Sequence, residues 1–197
     1  MKKTFYAAVL LLTIGIAATS CKKDNTPKIK TENPAKATIA AALVVDSAAL
    51  FFDGSWEFGQ KLYFSKNGKI TKLGCRMGNK GSFRVSLWDF TTKNLIAATT
   101  VNVTDTTQFI YNTVADIAVT ANTRYVISLN TTEGATYRQY WAFFKKSNTA
   151  IIFPYTTGSV TYESNQYSSS TSSVFPLIEY KTRFILGVPD FQFEYTE

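Results

Sequence analysis

Two stretches of this chain combine aromatic rings with hydrogen-bonding side chains, and this combination can bind a sugar. An aromatic ring can stack on the apolar face of a sugar while nearby amides, guanidinium groups and carboxylates bond the hydroxyls. The candidate ligand-binding residues are Arg84, Trp88, Asp89, Tyr137, Gln139, Tyr140 and Trp141. Residues 162–167, with Asn165 and Gln166, could form the rim of such a site. The competing interpretation places these rings in the core or over sheet edges, because a chain with 15% aromatic residues must bury many of them.

The residue types in the sequence give little support for a catalytic site. The chain has no histidine, which excludes Ser-His-Asp and Cys-His arrangements and removes the commonest ligand of zinc and iron sites. No glycine-rich phosphate loop is present. A glycosidase with paired carboxylates stays open, although nothing singles out two of the candidates, which are Asp53, Glu57, Asp89, Asp116, Glu133, Glu163 and Glu179. We therefore predict no catalytic residue, no cofactor and no metal site.

Cys75 is predicted to be a buried core residue. The alternation of side chains along residues 70–77 places it on one strand face with Thr71, Leu73 and Met77. Buried cysteine behaves as a small hydrophobic residue, and a reactive thiol is the less favoured interpretation.

The elements that position these residues are strands. From residue 56 onward apolar side chains alternate with a period of two and are separated by short polar turns, of which Asn67-Gly68 is a strong hairpin signal. Strands are expected at residues 56–64, 70–77, 83–88, 95–103, 109–113, 124–129, 137–144, 151–155, 160–163, 184–188 and 191–195. The Ser/Thr-rich residues 164–173 are expected to form a long loop, and the alanine-rich residues 38–50 to contain short strands.

Many short strands without intervening helices predict an all-β fold, a two-sheet antiparallel β-sandwich of the jelly-roll or fibronectin/immunoglobulin-like type. Trp56 is in phase with Phe58 and Leu62, which predicts that it lies in the core. Tyr125 at a strand entry is expected to tie its hydroxyl back to nearby backbone, as in the corner of fibronectin-like sandwiches.

The first residues predict export and cleavage. Lys2 and Lys3 precede an apolar run over residues 5–17, and small residues then lead to Cys21. This order is typical of a secretory signal, and the run is shorter than the roughly 20 residues of a membrane-spanning helix. The junction resembles the lipobox of bacterial lipoproteins, in which the thiol is acylated and becomes the new N-terminus. The resemblance implies that Cys21 is lipidated and anchors the chain to a membrane.

These segments give the predicted organisation of the chain. A signal peptide (1–20) is followed by a lipid-anchored flexible tether (21–37), which is polar and contains proline, and by one β-sandwich domain (38–197). The formal charge of +7 falls to +5 when Lys2 and Lys3 leave with the signal. Because no dense basic stripe accompanies this surplus, we predict no nucleic-acid partner.

Five segments together carry a family resemblance. They are WEFG (56–59), GKITKLG (68–74), VSLWD (85–89), LIA (95–97) and ANTRYVIS (121–128). They are similar to the DUF4082 family of bacterial extracellular β-sandwich domains, over roughly residues 45–195. This resemblance implies a surface or secreted module, and it supplies no catalytic residues.

The expected function is therefore that of a non-catalytic interaction module. It would be lipid-anchored in the bacterial cell envelope, at the outer membrane, on the periplasmic side or at the cell surface, with a glycan or an envelope protein as partner. A structural envelope lipoprotein without a small ligand is the alternative, and a small glycan hydrolase is less favoured.

Overall fold

The computed structural model describes residues 27–147 and 149–197. The predicted signal peptide and Cys21 lie outside these described residues. The described strands are β1 (Ile29–Glu32), β2 (Ser47–Phe51), β3 (Trp56–Phe64), β4 (Gly68–Cys75), β5 (Gly81–Asp89), β6 (Leu95–Val103), β7 (Ile110–Val119), β8 (Arg124–Asn130), β9 (Thr132–Glu133), β10 (Thr136–Tyr137), β11 (Tyr140–Phe144), β12 (Tyr155–Thr157), β13 (Val160–Ser169), β14 (Ile178–Tyr180), β15 (Phe184–Leu186) and β16 (Pro189–Thr196), with one helix, α1 (Pro34–Ala41).

The strands form antiparallel sheets that pack face to face, as predicted. The larger layer is a seven-stranded sheet in the order β12-β13-β3-β8-β5-β6, with β14 paired to β13. The other layer combines a four-stranded sheet, β1-β16-β4-β7, with a three-stranded sheet, β15-β11-β2. The chain passes from β15 to β16 through Gly187, whose φ of 55° favours glycine, and a Cβ there would lie 2.9 Å from the Cβ of Phe58.

The core lies between the two layers and follows the alternation of the strands. Phe64 of the larger sheet contacts Phe191 and Phe193 of β16, with ring centroids 5.5 and 4.5 Å apart. Cys75 is fully buried as predicted, and burial raises the pKa of its thiol. The tyrosine corner is also present, since the Thr120 N–H donates to the Tyr125 hydroxyl at 3.1 Å.

The ordered domain begins earlier than predicted. The tether was expected to reach residue 37, but β1 pairs with β16 along Ile29–Glu32, and α1 begins at Pro34. The alanine-rich stretch, for which a helix was the alternative to the favoured short strands, is divided between the end of α1 and β2. The beginning of α1 is stabilised by a residue far along the chain. The Ala35 and Lys36 N–H groups donate to the two carboxylate oxygens of Asp190, each at 3.0 Å.

The Ser/Thr-rich stretch is also more regular than predicted. Strand β13 continues to Ser169 and pairs with β3 along its length, with a register shift between Tyr162 and Ser164. The sequence shows no alternation of apolar and polar residues here, because polar side chains of β13 are buried and hydrogen-bonded. Asn165 Nδ2, for example, donates to the Phe184 carbonyl at 2.8 Å. Irregular chain follows only after Ser169.

No helix in the described part of the chain is long and apolar enough to cross a membrane.

Candidate functional site

An opening lined by aromatic rings lies where the three-stranded sheet packs against the seven-stranded sheet. This aromatic cleft has a volume of about 390 Å³. Its lining residues are Trp56, Phe58, Tyr140, Tyr167, Tyr180 and Leu186. They come from five different strands, β3, β11, β13, β14 and β15.

Strand register explains why these rings meet. Trp56 and Phe58 are two residues apart on β3 and therefore project to the same face, with ring centroids 5.8 Å apart. The pairing of β13 with β3 places Tyr167 opposite Phe58, and the Tyr167 ring meets the edge of Trp56 at 6.0 Å. Tyr140 of β11 approaches Phe58 from the other layer at 4.7 Å. Tyr180 completes the cleft beside Tyr167, at 6.3 Å.

Asp53 fixes the orientation of two of these rings. Its Oδ1 accepts hydrogen bonds from Trp56 Nε1 at 3.0 Å and from the Tyr140 hydroxyl at 2.9 Å. The pKa of Tyr140 is raised, first by burial and then by the hydrogen bond to Asp53. The two rings are therefore held in place before any ligand arrives.

Apolar residues extend from the cleft over the neighbouring surface. Phe51 stacks on Tyr140, and Phe52 packs against Tyr137 with ring centroids 4.5 Å apart. Phe52 is 57% exposed and Tyr180 is 48% exposed, so ring surface is available to a ligand. An arrangement of fixed and exposed rings can stack on the apolar face of a sugar or on another apolar group.

The second predicted stretch, residues 137–141, lies only partly at the cleft. Tyr140 lines it and Tyr137 stands beside it, against Phe52. Gln139 has a structural role, because its N–H donates to Asn79 Oδ1 at 2.7 Å and its carbonyl accepts from the Gly78 N–H at 3.1 Å. Trp141 is half-buried, and the guanidinium of Arg76 lies over its ring at 4.9 Å.

The first predicted stretch lies elsewhere, on the outer face of the seven-stranded sheet, and the structure corrects the expected role of Trp88. Trp88 is only 7% exposed: its Nε1 donates to Ser128 Oγ at 2.8 Å, and Phe175 covers the ring at 6.0 Å. Asp89 accepts from the Thr92 N–H at 2.7 Å and closes a turn, and this bond holds its pKa below the usual value. The Trp88 ring is therefore closed to a ligand, and one of the two carboxylate oxygens of Asp89 is engaged in the turn.

Arg84, the third member of that stretch, is exposed. It lines a polar groove that is separate from the aromatic cleft.

Sequence reasoning missed part of the aromatic cleft. Trp56 was expected in the core because it is in phase with Phe58 and Leu62. It does lie on the core face of β3, but it is the first residue of the strand and therefore lies at the open end of the sandwich. Tyr167 fell in a stretch considered as a rim, and it does line the cleft. Tyr180 had no distinguishing signal in the sequence.

Glu57 was also not singled out, although it is fully buried. It accepts hydrogen bonds from Ser128 Oγ and, at 3.0 Å, from Asn130 Nδ2. Burial raises its pKa to about 7, against the opposing effect of these bonds. Alternation along β3 places Glu57 on the face opposite Phe58, and the sequence does not show that a later segment covers that face.

No cluster of metal-ligating side chains is present among residues 27–147 and 149–197.

The fold and the cleft define a class of protein, an antiparallel β-sandwich with aromatic side chains gathered at one open end. The model of the family described as a domain of unknown function (DUF4082) matches residues 44–184, which is most of the chain. The chain belongs to this family, as its sequence motifs predicted. A comparison with curated proteins finds no match.

Proposed function

We propose that this protein is a non-catalytic, lipid-anchored module of the bacterial cell envelope that binds a glycan in the aromatic cleft. The single observation that carries the proposal is the convergence of five aromatic rings, from four strands, on one opening. Its volume lies within the range of about 300–1,000 Å³ that is typical of small-molecule sites.

The chemistry of the rim supports a sugar rather than a purely apolar ligand. Tyrosine supplies both a stacking surface and a hydroxyl, and three of the six lining residues are tyrosines. Asp53 holds Trp56 and Tyr140 without using the faces of their rings. A sugar ring entering the cleft would meet aromatic faces on its CH side and phenolic hydroxyls at its edge.

The engagement of several carboxylates supports binding rather than hydrolysis. A glycosidase needs two carboxyl groups that face each other across the substrate, about 5–10 Å apart. Asp53 beside the cleft is bonded to two cleft residues, Asp89 closes a turn, and Glu163 is paired with Arg124 at 2.8 Å. We therefore assign no catalytic residue. We also expect no nucleic-acid partner, because the sequence carries no dense basic stripe.

The predicted anchor places the domain close to a membrane. Acylation of Cys21 would leave seven residues, 22–28, before β1, and an extended chain of this length spans at most about 25 Å. We place the protein at the outer membrane, on the periplasmic side or at the cell surface.

A second candidate is a structural envelope lipoprotein whose partner is another protein. The apolar surface beside the cleft favours it, because Leu50, Phe51 and Phe52 are all exposed. Exposed apolar patches of this kind are typical of protein interfaces as well as of ligand sites.

A glycan array tests the proposal directly. We expect the wild type to bind one class of glycan and Tyr180→Ala to bind it roughly three- to ten-fold more weakly, since a stacked ring contributes about 0.5–1.5 kcal/mol. Tyr63→Ala is the matched control, because Tyr63 is a partly exposed tyrosine at the far end of β3. Equal weakening by both variants, or no glycan bound by the wild type, would reject the proposal. Capture of an envelope protein without any sugar signal would favour the second candidate.

A further inference from the structure

The outer face of the seven-stranded sheet carries a second depression, distinct from the aromatic cleft. This polar groove has a volume of about 320 Å³. The residues that carry the argument are Ser82, Arg84, Asn130, Thr132, Glu133 and Ser172. Its lining is predominantly polar, in contrast to the aromatic cleft, so it suits a different part of a ligand or a different ligand.

One wall of the polar groove is held in place by hydrogen bonds across the sheet. Asn130 Nδ2 donates to the carbonyls of Ser170 and Ser172, at 3.3 and 3.0 Å. The hydroxyls of Ser86 and Ser173 lie 2.9 Å apart. The irregular segment after β13 is therefore fixed on the sheet, and the groove is formed without a ligand.

A buried hydroxyl at the polar groove lacks a partner. Thr132 is 8% exposed, and in the described part of the chain its Oγ1 has no hydrogen-bond partner. Its backbone N–H is satisfied by Asn130 Oδ1 at 3.0 Å. This oxygen has almost no accessible surface, so the unpaired hydroxyl lies within the wall of the groove and costs the fold free energy.

Arg84 gives the polar groove a positive charge. No ion pair to Arg84 is found among residues 27–147 and 149–197, and its side chain is exposed. The one carboxylate that lines the groove, Glu133, is already engaged: Arg138 Nε lies 3.4 Å from it, and the Ser82 N–H donates to it at 3.2 Å. A planar guanidinium with free donors matches the geometry of a carboxylate.

We infer that the polar groove binds an acidic sugar, with Arg84 pairing its carboxylate and the polar groups of the lining bonding its hydroxyls. The choice of a sugar acid over other carboxylates rests on the proposed function. The groove itself is independent of the aromatic cleft, because the two share no lining residue.

Titration of the full chain with three probes tests the inference. Glucuronate carries both the charge and the hydroxyls, glucose carries only hydroxyls, and propionate carries only the charge. We expect saturable binding of glucuronate at least ten-fold tighter than that of either other probe, measured by calorimetry or NMR shifts. Absence of glucuronate binding, or equal binding of propionate, would overturn the inference.

Two variants locate the binding. Arg84→Gln is expected to weaken glucuronate binding at least ten-fold, while Lys66→Gln, which removes an exposed cation from the turn at the other end of β3, leaves it unchanged. Unchanged affinity in Arg84→Gln rejects the site.

The same titration separates this inference from the proposed function. Tyr180→Ala should bind glucuronate as the wild type does. A loss of binding in Tyr180→Ala with none in Arg84→Gln would assign the acid to the aromatic cleft and overturn the inference. A failed glycan array together with intact, Arg84-dependent glucuronate binding would reject only the aromatic cleft.

Discussion

At the residue scale, Glu57 is a carboxyl group whose environment opposes its charge. It is fully buried beneath the segment that follows β13, and burial raises its pKa from 4.5 to about 7. Ser128 and Asn130 donate to it and oppose that rise without cancelling it. Ionising this group in the folded chain therefore costs free energy that the unfolded chain does not pay.

We expect the free energy of unfolding to fall as pH rises through this interval. Below about pH 4.5 the group is protonated in both states and has no effect. Between pH 4.5 and 7 the folded chain holds a proton that the unfolded chain has lost, so stability declines with rising pH, by about 3 kcal/mol in total. Glu57→Gln, which imitates the neutral acid, should remove this decline in urea unfolding measured from pH 4.5 to 8.

Glu179→Gln is the matched control, because it makes the same change of side chain at an exposed carboxyl group. Asp190 has a pKa raised to about 6 by burial and adds a slope of the same sign, so the Glu57 variant should be flatter than the wild type but not flat. Parallel curves for Glu57→Gln and the wild type would contradict this account.

At the scale of elements, Asp190 joins three parts of the fold. It lies on β16, its two oxygens accept from the first N–H groups of α1, and its Oδ2 also accepts from the Tyr111 hydroxyl of β7 at 2.6 Å. The residue at the N-cap position, Asn33, makes no side-chain cap bond. A residue far along the chain therefore serves as the cap of the helix.

Asp190→Ala should destabilise the fold by about 2–4 kcal/mol, since it leaves two helix N–H groups and the half-buried Tyr111 hydroxyl without an acceptor. Hydrogen exchange at Ala35 and Lys36 should accelerate more than exchange in β3. Tyr111→Phe, which removes only one of the three bonds, should cost less and leave exchange in α1 close to that of the wild type. Unchanged exchange in α1 of Asp190→Ala would show that packing alone holds the helix.

Strand positions could be predicted from the sequence because they depend on local alternation. The strand expected at residues 95–103 is observed over the same residues, and the pattern around Tyr125 gave the corner correctly. The beginning of α1 and the length of β13 could not be predicted in the same way. Both depend on polar partners supplied by distant segments, Asp190 in one case and the Phe184 carbonyl in the other.

The candidate sites were predictable only in part for a related reason. Alternation gives the face of a strand on which a ring lies, as it did for Trp56 and Trp88. It does not show which end of the sandwich is open or which face a later segment covers. Trp56 therefore proved more accessible than predicted, and Trp88, covered by Phe175, less so.

At the scale of the whole molecule, the proposed anchor makes a clear prediction. Cells fed a fatty-acid probe should incorporate it into the wild type, and the protein should sediment with membranes. Cys21→Ser should lose both the label and the membrane association, because the proposal makes this thiol the site of acylation. Cys75→Ser is the control, since that thiol is fully buried in the core and should not be acylated. Label retained in Cys21→Ser would reject the anchor.

The pairing of β1 with β16 has a mechanical consequence if the chain is anchored through Cys21 as proposed. Tension between a bound surface and the membrane would enter the domain at Ile29 and pass through the short ladder of β1 with β16. Glu32 at the end of β1 links this strand to two other segments, because its carboxylate accepts hydrogen bonds from the Ser159 N–H at 2.9 Å and from the Tyr195 hydroxyl at 2.9 Å. Under load, these hydrogen bonds would have to break before β1 could be pulled from the rest of the sandwich.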